Sequence, residues 1–280
     1  RKYGEINFDS KKYKIVTLGH SFHGRTITTV KASGQKKMHS ENFSPYPDGF
    51  SYKHKLDELY ETIDDQTVAV MIELIQGEGG VQPFPKEDIQ KLAAFCKDNG
   101  LLLIIDEVQT GAYRTGEFLA SNLYDIEPDI ITMAKGMGGG VPIGCVMTKH
   151  KDIFEPGDHG STFGGNYLST AASLEVLNIL DENKDSGVLD ETIIYFNEKL
   201  KAFYESNTHL FYKEVGIGLM RGLRVNDEET LTKIYNNAFD NGLLVLKAGK
   251  ITLRLLPPLT ISKDEIDEGF TRLEKAVASI

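Results

Sequence analysis

Apolar runs and polar intervals alternate along the first two thirds of the chain, with periods that separate strands from helices. Tyr13–Leu18 (YKIVTL), Thr67–Leu74 (TVAVMIEL), Leu101–Ile105 (LLLII) and Ile130–Met133 are short, almost continuously apolar and rich in branched side chains, which predicts buried strands. Leu56–Ile63 predicts a short helix between the first and second of these. In Lys86–Asp98, Ile89, Leu92, Ala93 and Cys96 recur at the spacing of one helical face, and Asn99-Gly100 supplies a stop. Strands this apolar, separated by helices, predict an α/β fold: a mostly parallel sheet with helices on both faces. The last third reads differently. Thr170–Leu180, Glu191–Ser206 and a stretch from Lys263 to the C-terminus predict helices; Leu219–Val225, Leu243–Leu246 and Ile251–Leu255 predict shorter strands. The acidic run Asp181–Asp185 reads as a solvated turn. The pattern therefore predicts a large domain over residues 1–180 and a smaller C-terminal α+β domain over 181–280.

Length and charge narrow the possibilities. At about 150 residues per domain, 280 residues fit two domains. With 31 basic and 41 acidic residues the formal charge is −10, which argues against nucleic acid as the main partner. No apolar run approaches the roughly 20 residues of a membrane span, and no stretch has the pattern of a secretory leader. Two cysteines, Cys96 and Cys145, make no disulfide framework, so a reducing, cytoplasmic setting is expected.

In a parallel sheet, ligands bind beyond the carboxyl ends of the strands, and the chemically versatile residues of this chain cluster there. Glu73 closes one strand and precedes Gln76-Gly77-Glu78-Gly79-Gly80; Asp106-Glu107-Val108-Gln109 follows Leu101–Ile105; Lys135 follows Ile130–Met133 and opens a glycine-rich loop; Arg25 lies beyond the first strand. A carboxylate at the end of an apolar strand is costly unless it meets a cation or a donor. A lysine nearby, withdrawn from water, loses basicity and becomes a nucleophile. Pyridoxal phosphate needs both groups: a lysine for its Schiff base and an aspartate for its pyridinium nitrogen. A helix-cap Asp106 and a surface Lys135 remain open as the plainer reading.

Six motifs, in order and spanning nearly the whole chain, resemble class III aminotransferases, pyridoxal-phosphate enzymes of fold type I. They are FHGRT (22–26), GEGG (77–80), DEVQTG (106–111), AKGMGGGVPIG (134–144), GDHGSTFGGN (157–166) and LRLLPPLTI (253–261). The resemblance implies that Lys135 forms the Schiff base and shuttles a proton, and that Asp106 pairs with the pyridinium nitrogen. It also implies that Phe22 and Val108 pack on the two ring faces and that Gln109 hydrogen-bonds the phenolic oxygen. Ser161 and Thr162 would reach the phosphate in a neighbouring subunit, making the active unit a homodimer. Arg25 would take a distal substrate carboxylate and Arg254 a near one, with Glu78 masking Arg254 when the substrate lacks a near carboxylate. SFHGRTITTVKASGQ and LPPLTIS point, within the family, to transfer of the terminal amine of N2-acetylornithine to 2-oxoglutarate, a step of arginine biosynthesis. Alternatives are another ω-aminotransferase (ornithine, 4-aminobutyrate or succinylornithine) or a non-catalytic binding or dimerisation module.

Some positions depart from the family pattern. Leu74 and Tyr167 replace usual prolines and Tyr113 a usual glycine, none of which removes a reactive group. The family's phosphate-binding turn and helix start have no counterpart before Leu18, so an N-terminal part is expected to be missing. His20 and His23 lack a third metal ligand and read as structural or solvent-facing; His159 reads as a loop stabiliser, and Cys96 and Cys145 as inert. Gly216-Ile217-Gly218 fails as a dinucleotide fingerprint, because Arg221 stands where a third glycine belongs. No phosphate-binding loop of the GxxxxGK[ST] kind occurs.

Overall fold

A computed structural model describes residues 1–9, 11–249 and 251–280. The strands are β1 (Lys14–Leu18), β2 (Phe50–Lys53), β3 (Thr67–Ile72), β4 (Ile75–Gln76), β5 (Gln82–Pro83), β6 (Leu102–Asp106), β7 (Ile130–Met133), β8 (Cys145–Thr148), β9 (Phe211–Ile217), β10 (Met220–Val225), β11 (Leu246–Ala248) and β12 (Thr252–Leu255). The helices are α1 (Lys2–Phe8), α2 (Ile27–Ala32), α3 (Lys86–Asp98), α4 (Ala120–Leu123), α5 (Tyr167–Asp185), α6 (Val188–Ser206), α7 (Glu228–Asp240) and α8 (Lys263–Val277).

A six-stranded sheet runs β2-β1-β3-β6-β7-β8, parallel except for the antiparallel edge strand β8. Alternate residues of its strands serve two apolar clusters. Val16, Leu18, Val70, Ile72, Leu103 and Ile105 pack with Ile89, Leu92 and Cys96 of α3, while Ile15, Ala69, Leu102, Ile104 and Ile130 pack with Tyr3 of α1. This two-sided burial is what the continuous apolar runs require. Because β1, β3, β6 and β7 are parallel neighbours, their carboxyl ends lie side by side, and Glu73, Asp106 and Lys135 all emerge at one edge.

A second, antiparallel sheet, β11-β12-β10-β9, carries α6, α7 and α8 on its own core of Phe196, Leu200, Phe211, Leu223, Leu231, Ile234, Phe270 and Leu273. It meets the first part of the chain in two places. Ile75 and Val81 of the β4–β5 hairpin pack with Val215, Met220 and Ala248. Arg114, half-buried, donates from Nη1 to the carbonyls of Leu219 (3.2 Å) and Pro257 (2.6 Å), and Leu219 N–H donates back to the Arg114 carbonyl at 3.0 Å. Withdrawal from water pulls the Arg114 guanidinium down to about 10.

Two expectations are corrected. The acidic run Asp181–Asp185 is the last turn of α5 rather than a free turn, fastened where Lys184 bridges Glu117 (3.1 Å) and Asp190 (3.0 Å). Residue 180 lies inside that helix, which is followed by Ser186 and by Gly187 at φ +80°. The strand expected over Leu243–Leu246 starts only at Leu246. Gly242 (φ +74°) closes α7 by returning Leu243 N–H to the Ala238 carbonyl at 2.8 Å, a helix-terminating bond that pulls Leu243 out of any ladder.

Candidate active site

Asp106 ends β6 and is buried, so its carboxylate depends on local donors. It has three: His23 Nδ1 at 2.8 Å to Oδ2, Val108 N–H at 3.1 Å and Thr132 Oγ1 at 3.2 Å to Oδ1. Glu107, next along the chain, turns the other way. It accepts from Ala120 N–H, Ser121 N–H and Ser121 Oγ at 2.7–3.0 Å and so holds the start of α4. Adjacent carboxylates thus split between support of a helix and the cavity.

The cavity beside Asp106 is lined by Phe22, His23, Gly24, Glu73, Glu78, Val108, Gln109 and Lys135 as well. Glu73 accepts from Phe22 N–H at 3.0 Å, and His23 N–H donates to Ser33 Oγ at 2.8 Å, so the loop carrying Phe22 and His23 is pinned at both residues. Burial, reinforced by the neighbouring Asp106, lifts the Glu73 carboxyl to about 7 against the opposing pull of His23 and the Phe22 N–H. Lys135 begins a tight turn after β7 with φ +49°, a backbone state uncommon for a residue with a side chain. Burial lowers the basicity of its amine although Asp106, Glu73 and Glu78 attract its charge. Gln109 lies against Gly77: a Cβ there would stand 1.6 Å from Gln109 Oε1, so a side chain at this position would displace the Gln109 amide. That same Oε1 is buried with no hydrogen-bond partner among the described residues, leaving an amide end free in the cavity wall.

Arg254 of β12 reaches the same place from the second sheet. Its Nη1 lies 2.8 Å from Glu78 Oε1, and its Nε is buried with no partner among the described residues. The hairpin packing described above fixes this approach, since Glu78 sits between Ile75 and Val81.

The structure therefore brings Phe22, Glu78, Asp106, Val108, Gln109, Lys135 and Arg254 together. Arg25 stands just outside: it is exposed, its guanidinium 5.3 Å from the centre of the Phe22 ring, and it faces a separate groove. Ser161 and Thr162 are not in the cavity of this chain; they lie exposed on the irregular segment between β8 and α5. Sequence reasoning missed His23, which reads as half of an incomplete metal pair because its contact with Asp106 joins residues 83 positions apart, and placed Glu73 at the strand ends without assigning it a role. Among the described residues no cluster of three metal-ligating side chains occurs, and no helix is long and apolar enough to cross a membrane.

A buried, acceptor-only carboxylate opposite a desolvated lysine, with an aromatic side chain and an uncommitted amide on the walls, fits a flat, cationic heteroaromatic aldehyde. The chain belongs to the class-III aminotransferases: the family "Aminotransferase class-III" matches residues 1–277. Pyridoxal phosphate is the cofactor of that family, and the residues present fit it. Among relatives, the chain is similar to an acetylornithine aminotransferase of Wolinella succinogenes, 54% identical over 281 residues, covering 100% of this chain and 71% of the relative. It superimposes on ornithine aminotransferase from Toxoplasma gondii with a TM-score of 0.89 at 29% identity, covering 99% of this chain and 68% of that one. N-acetylornithine aminotransferase from Stenotrophomonas maltophilia gives 0.80 at 29% identity, over 100% and 70%.

Proposed function

We propose that this aminotransferase moves the terminal amine of N2-acetylornithine to 2-oxoglutarate, the transamination of arginine biosynthesis. The observation that carries the chemistry is the meeting of Asp106 and Lys135, from the ends of neighbouring strands, in one cavity. When bound, pyridoxal phosphate supplies an electron sink for the substrate carbanion. Asp106, which accepts from three donors, would hold the ring nitrogen of the bound cofactor. Lys135, with lowered basicity, carries a reactive lone pair on Nζ and can take a proton from the substrate carbon and return it. Phe22 and Val108 would confine the ring, and the unpartnered Gln109 Oε1 would accept from a ring hydroxyl.

Two substrates must alternate. Glutamate reacts through its α-amine and brings one carboxylate near Lys135 and one far away; N2-acetylornithine brings only the far one. Arg25 serves the far carboxylate of both, and Arg254 the near one of glutamate, a role suited to the planar guanidinium fork. The Glu78–Arg254 pair supports this: Glu78 occupies Arg254 when no near carboxylate arrives. We read the unit as a homodimer with shared sites, Ser161 and Thr162 contributing to the phosphate of the opposite subunit. The exposed Phe163, Tyr167, Leu168 and Leu174 beside them support an apolar contact there. The free Cys96 and Cys145 support a reducing, cytoplasmic setting, and the separate core of the second sheet supports a small C-terminal domain.

The test is direct. Incubation with pyridoxal phosphate followed by borohydride fixes the cofactor covalently on Lys135, located by peptide mass, and Lys135→Ala gives no adduct and no transamination. Assay of N2-acetylornithine, ornithine, 4-aminobutyrate and N2-succinylornithine against 2-oxoglutarate ranks the donors. An adduct absent from the native chain leaves the binding-module reading in its place.

A further inference from the structure

Residues 110–116, which lead away from Val108 and Gln109 in the cavity wall, form a strap that the mechanism above leaves unused. Ala112 and Tyr113 both take left-handed backbone, at φ +52° and +66°, a state costly for residues that carry a Cβ. The Tyr113 side chain is nonetheless firmly held. Its ring stands edge-on to that of Phe118, 5.7 Å between centres, and its hydroxyl donates to Asp181 Oδ1 of α5 at 2.5 Å. Burial, and after it the Asp181 carboxylate, raise the phenol to about 12, so it stays a donor through the neutral range. Tyr113 also packs against two apolar clusters at once. One contains Met133 and Met137, which flank Lys135 two residues away on either side; the other contains Leu253 and Leu255, the neighbours of Arg254 on β12. The next residue, Arg114, makes the bonds to the Leu219 and Pro257 carbonyls, and Pro257 follows Arg254 by three positions.

We propose that Tyr113 is a positioning residue that fixes the separation between Lys135 and Arg254, and so sets how well glutamate competes with a donor that brings no near carboxylate. The inference rests on the transamination reading above and deepens it. Asp106 and Lys135 come from the first sheet and Arg254 from the second, so the span a near carboxylate must bridge is a distance between two cores. A bidentate guanidinium tolerates little error in that distance. Tyr113 packs on both cores, and its hydroxyl ties it to α5, whose Leu180 belongs to the same cluster as Met133 and Met137. Glutamate needs Lys135 and Arg254 together, whereas the acylated donor needs Lys135 without Arg254. A change at Tyr113 therefore acts unequally on the two half-reactions, while a general loss of fold acts on both.

The experiment measures single-turnover half-reactions of the holoenzyme with glutamate and with N2-acetylornithine in the native protein, Tyr113→Gly, Tyr113→Phe, Asp181→Ala and Asp181→Asn. Glycine takes left-handed backbone freely, so Tyr113→Gly removes the ring without adding strain. Its half-saturating glutamate concentration is expected to rise about tenfold, and that for acetylornithine by less than about twofold, a modest penalty for misplacing one binding group. Tyr113→Phe and Asp181→Ala each remove one hydrogen bond and raise the glutamate value about threefold. Asp181→Asn keeps an acceptor for the phenol and restores native behaviour. Hydrogen exchange at the Leu219 amide, bonded to the Arg114 carbonyl at 3.0 Å, quickens in Tyr113→Gly and gives a readout apart from turnover. If Tyr113→Gly fails to fold, Tyr113→Phe and the two Asp181 variants decide the matter. Equal losses on both substrates, or no change in any variant, overturn the assignment. Native protein that converts neither substrate instead removes the transamination reading, and this inference with it, before any variant is compared.

Discussion

The strand-end cavity and the segment between β8 and α5 carry equally distinctive motifs, yet only the first is packed within this chain. Asp106, Glu73 and Arg254 are all buried at the strand ends, and Asp106 has three donors. On the other segment, Phe163 is 80% exposed and Tyr167 95%, and Ser161 does no more than accept from Gly164 N–H. Burial of charge demands partners within the fold, so the first region is fixed by intramolecular bonds. The second has the composition of a contact surface, with large apolar side chains that no element of the chain covers. What differs is where the partner atoms reside.

The strongest way to break this contrast is at Asp106. Asp106→Asn keeps the shape but removes the charge facing the cofactor ring, and Asp106→Ala also leaves His23 Nδ1 without its acceptor. Single-turnover rates are expected to fall about 10²–10³-fold for Asn, the usual scale for losing one preorganised electrostatic partner. Thermal unfolding separates the Ala variant, which loses a further ~1–3 kcal/mol for the orphaned buried donor. A rate for Asp106→Asn no lower than that for Ser161→Ala would erase the distinction between the two regions.

Glu73 tests burial by pH. Its folded value is about 7 and its ordinary value 4.5, so the fold holds the proton more tightly than the unfolded chain does. The associated stability is fully present below pH 4.5 and lost as pH rises toward 7, a span worth about 3 kcal/mol. Glu73→Gln removes the titration while keeping an acceptor for Phe22 N–H. In urea titrations the variant should gain on the native protein between pH 5 and 8. A native stability flat over that window refutes the burial argument.

These two residues also show what the sequence could and could not reveal. The strands β3, β6 and β7 were legible because burial on both faces leaves an unbroken apolar run, and Lys135 and Asp106 were legible because they interrupt or follow such runs. The edge strands β2 (FSYK) and β8 (CVMT) were not, being short, partly exposed and free of that signature. Strand β9 carries Lys213 and Glu214 in mid-strand, which breaks its apolar run, and α7 was overlooked although Asp227 caps Thr230 N–H at 2.7 Å. His23 was illegible for a topological reason: only the adjacency of β1, β3 and β6 carries it to Asp106. Glu78–Arg254, by contrast, joins residues 176 apart and was expected only through the family resemblance.

That pair offers a gentler test. Glu78 is partly exposed but Arg254 is buried, so the substitution is to Gln, which keeps an oxygen for the Arg254 guanidinium while removing the charge. The effect belongs to selectivity. Glu78→Gln leaves Arg254 permanently available, and half-reaction kinetics should show glutamate gaining on N2-acetylornithine by about tenfold, the ordinary size of a coupling between charged sites. An unchanged ratio removes Glu78 from the switch.

The smallest effect on the fold is expected on the exposed segment. Tyr167→Ser removes a ring that touches almost nothing in the chain, so unfolding of the isolated subunit should move by no more than ~0.5 kcal/mol. If the segment is a subunit contact, the same change acts on association, because aromatic anchors dominate such interfaces and truncating one costs about 1–2 kcal/mol. Sedimentation at several concentrations reads the second effect and denaturation of the dilute protein reads the first. A variant that destabilises the dilute subunit but leaves association untouched would mean that Tyr167 is held by its own chain, and the exposed segment would then be as self-contained as the strand-end cavity.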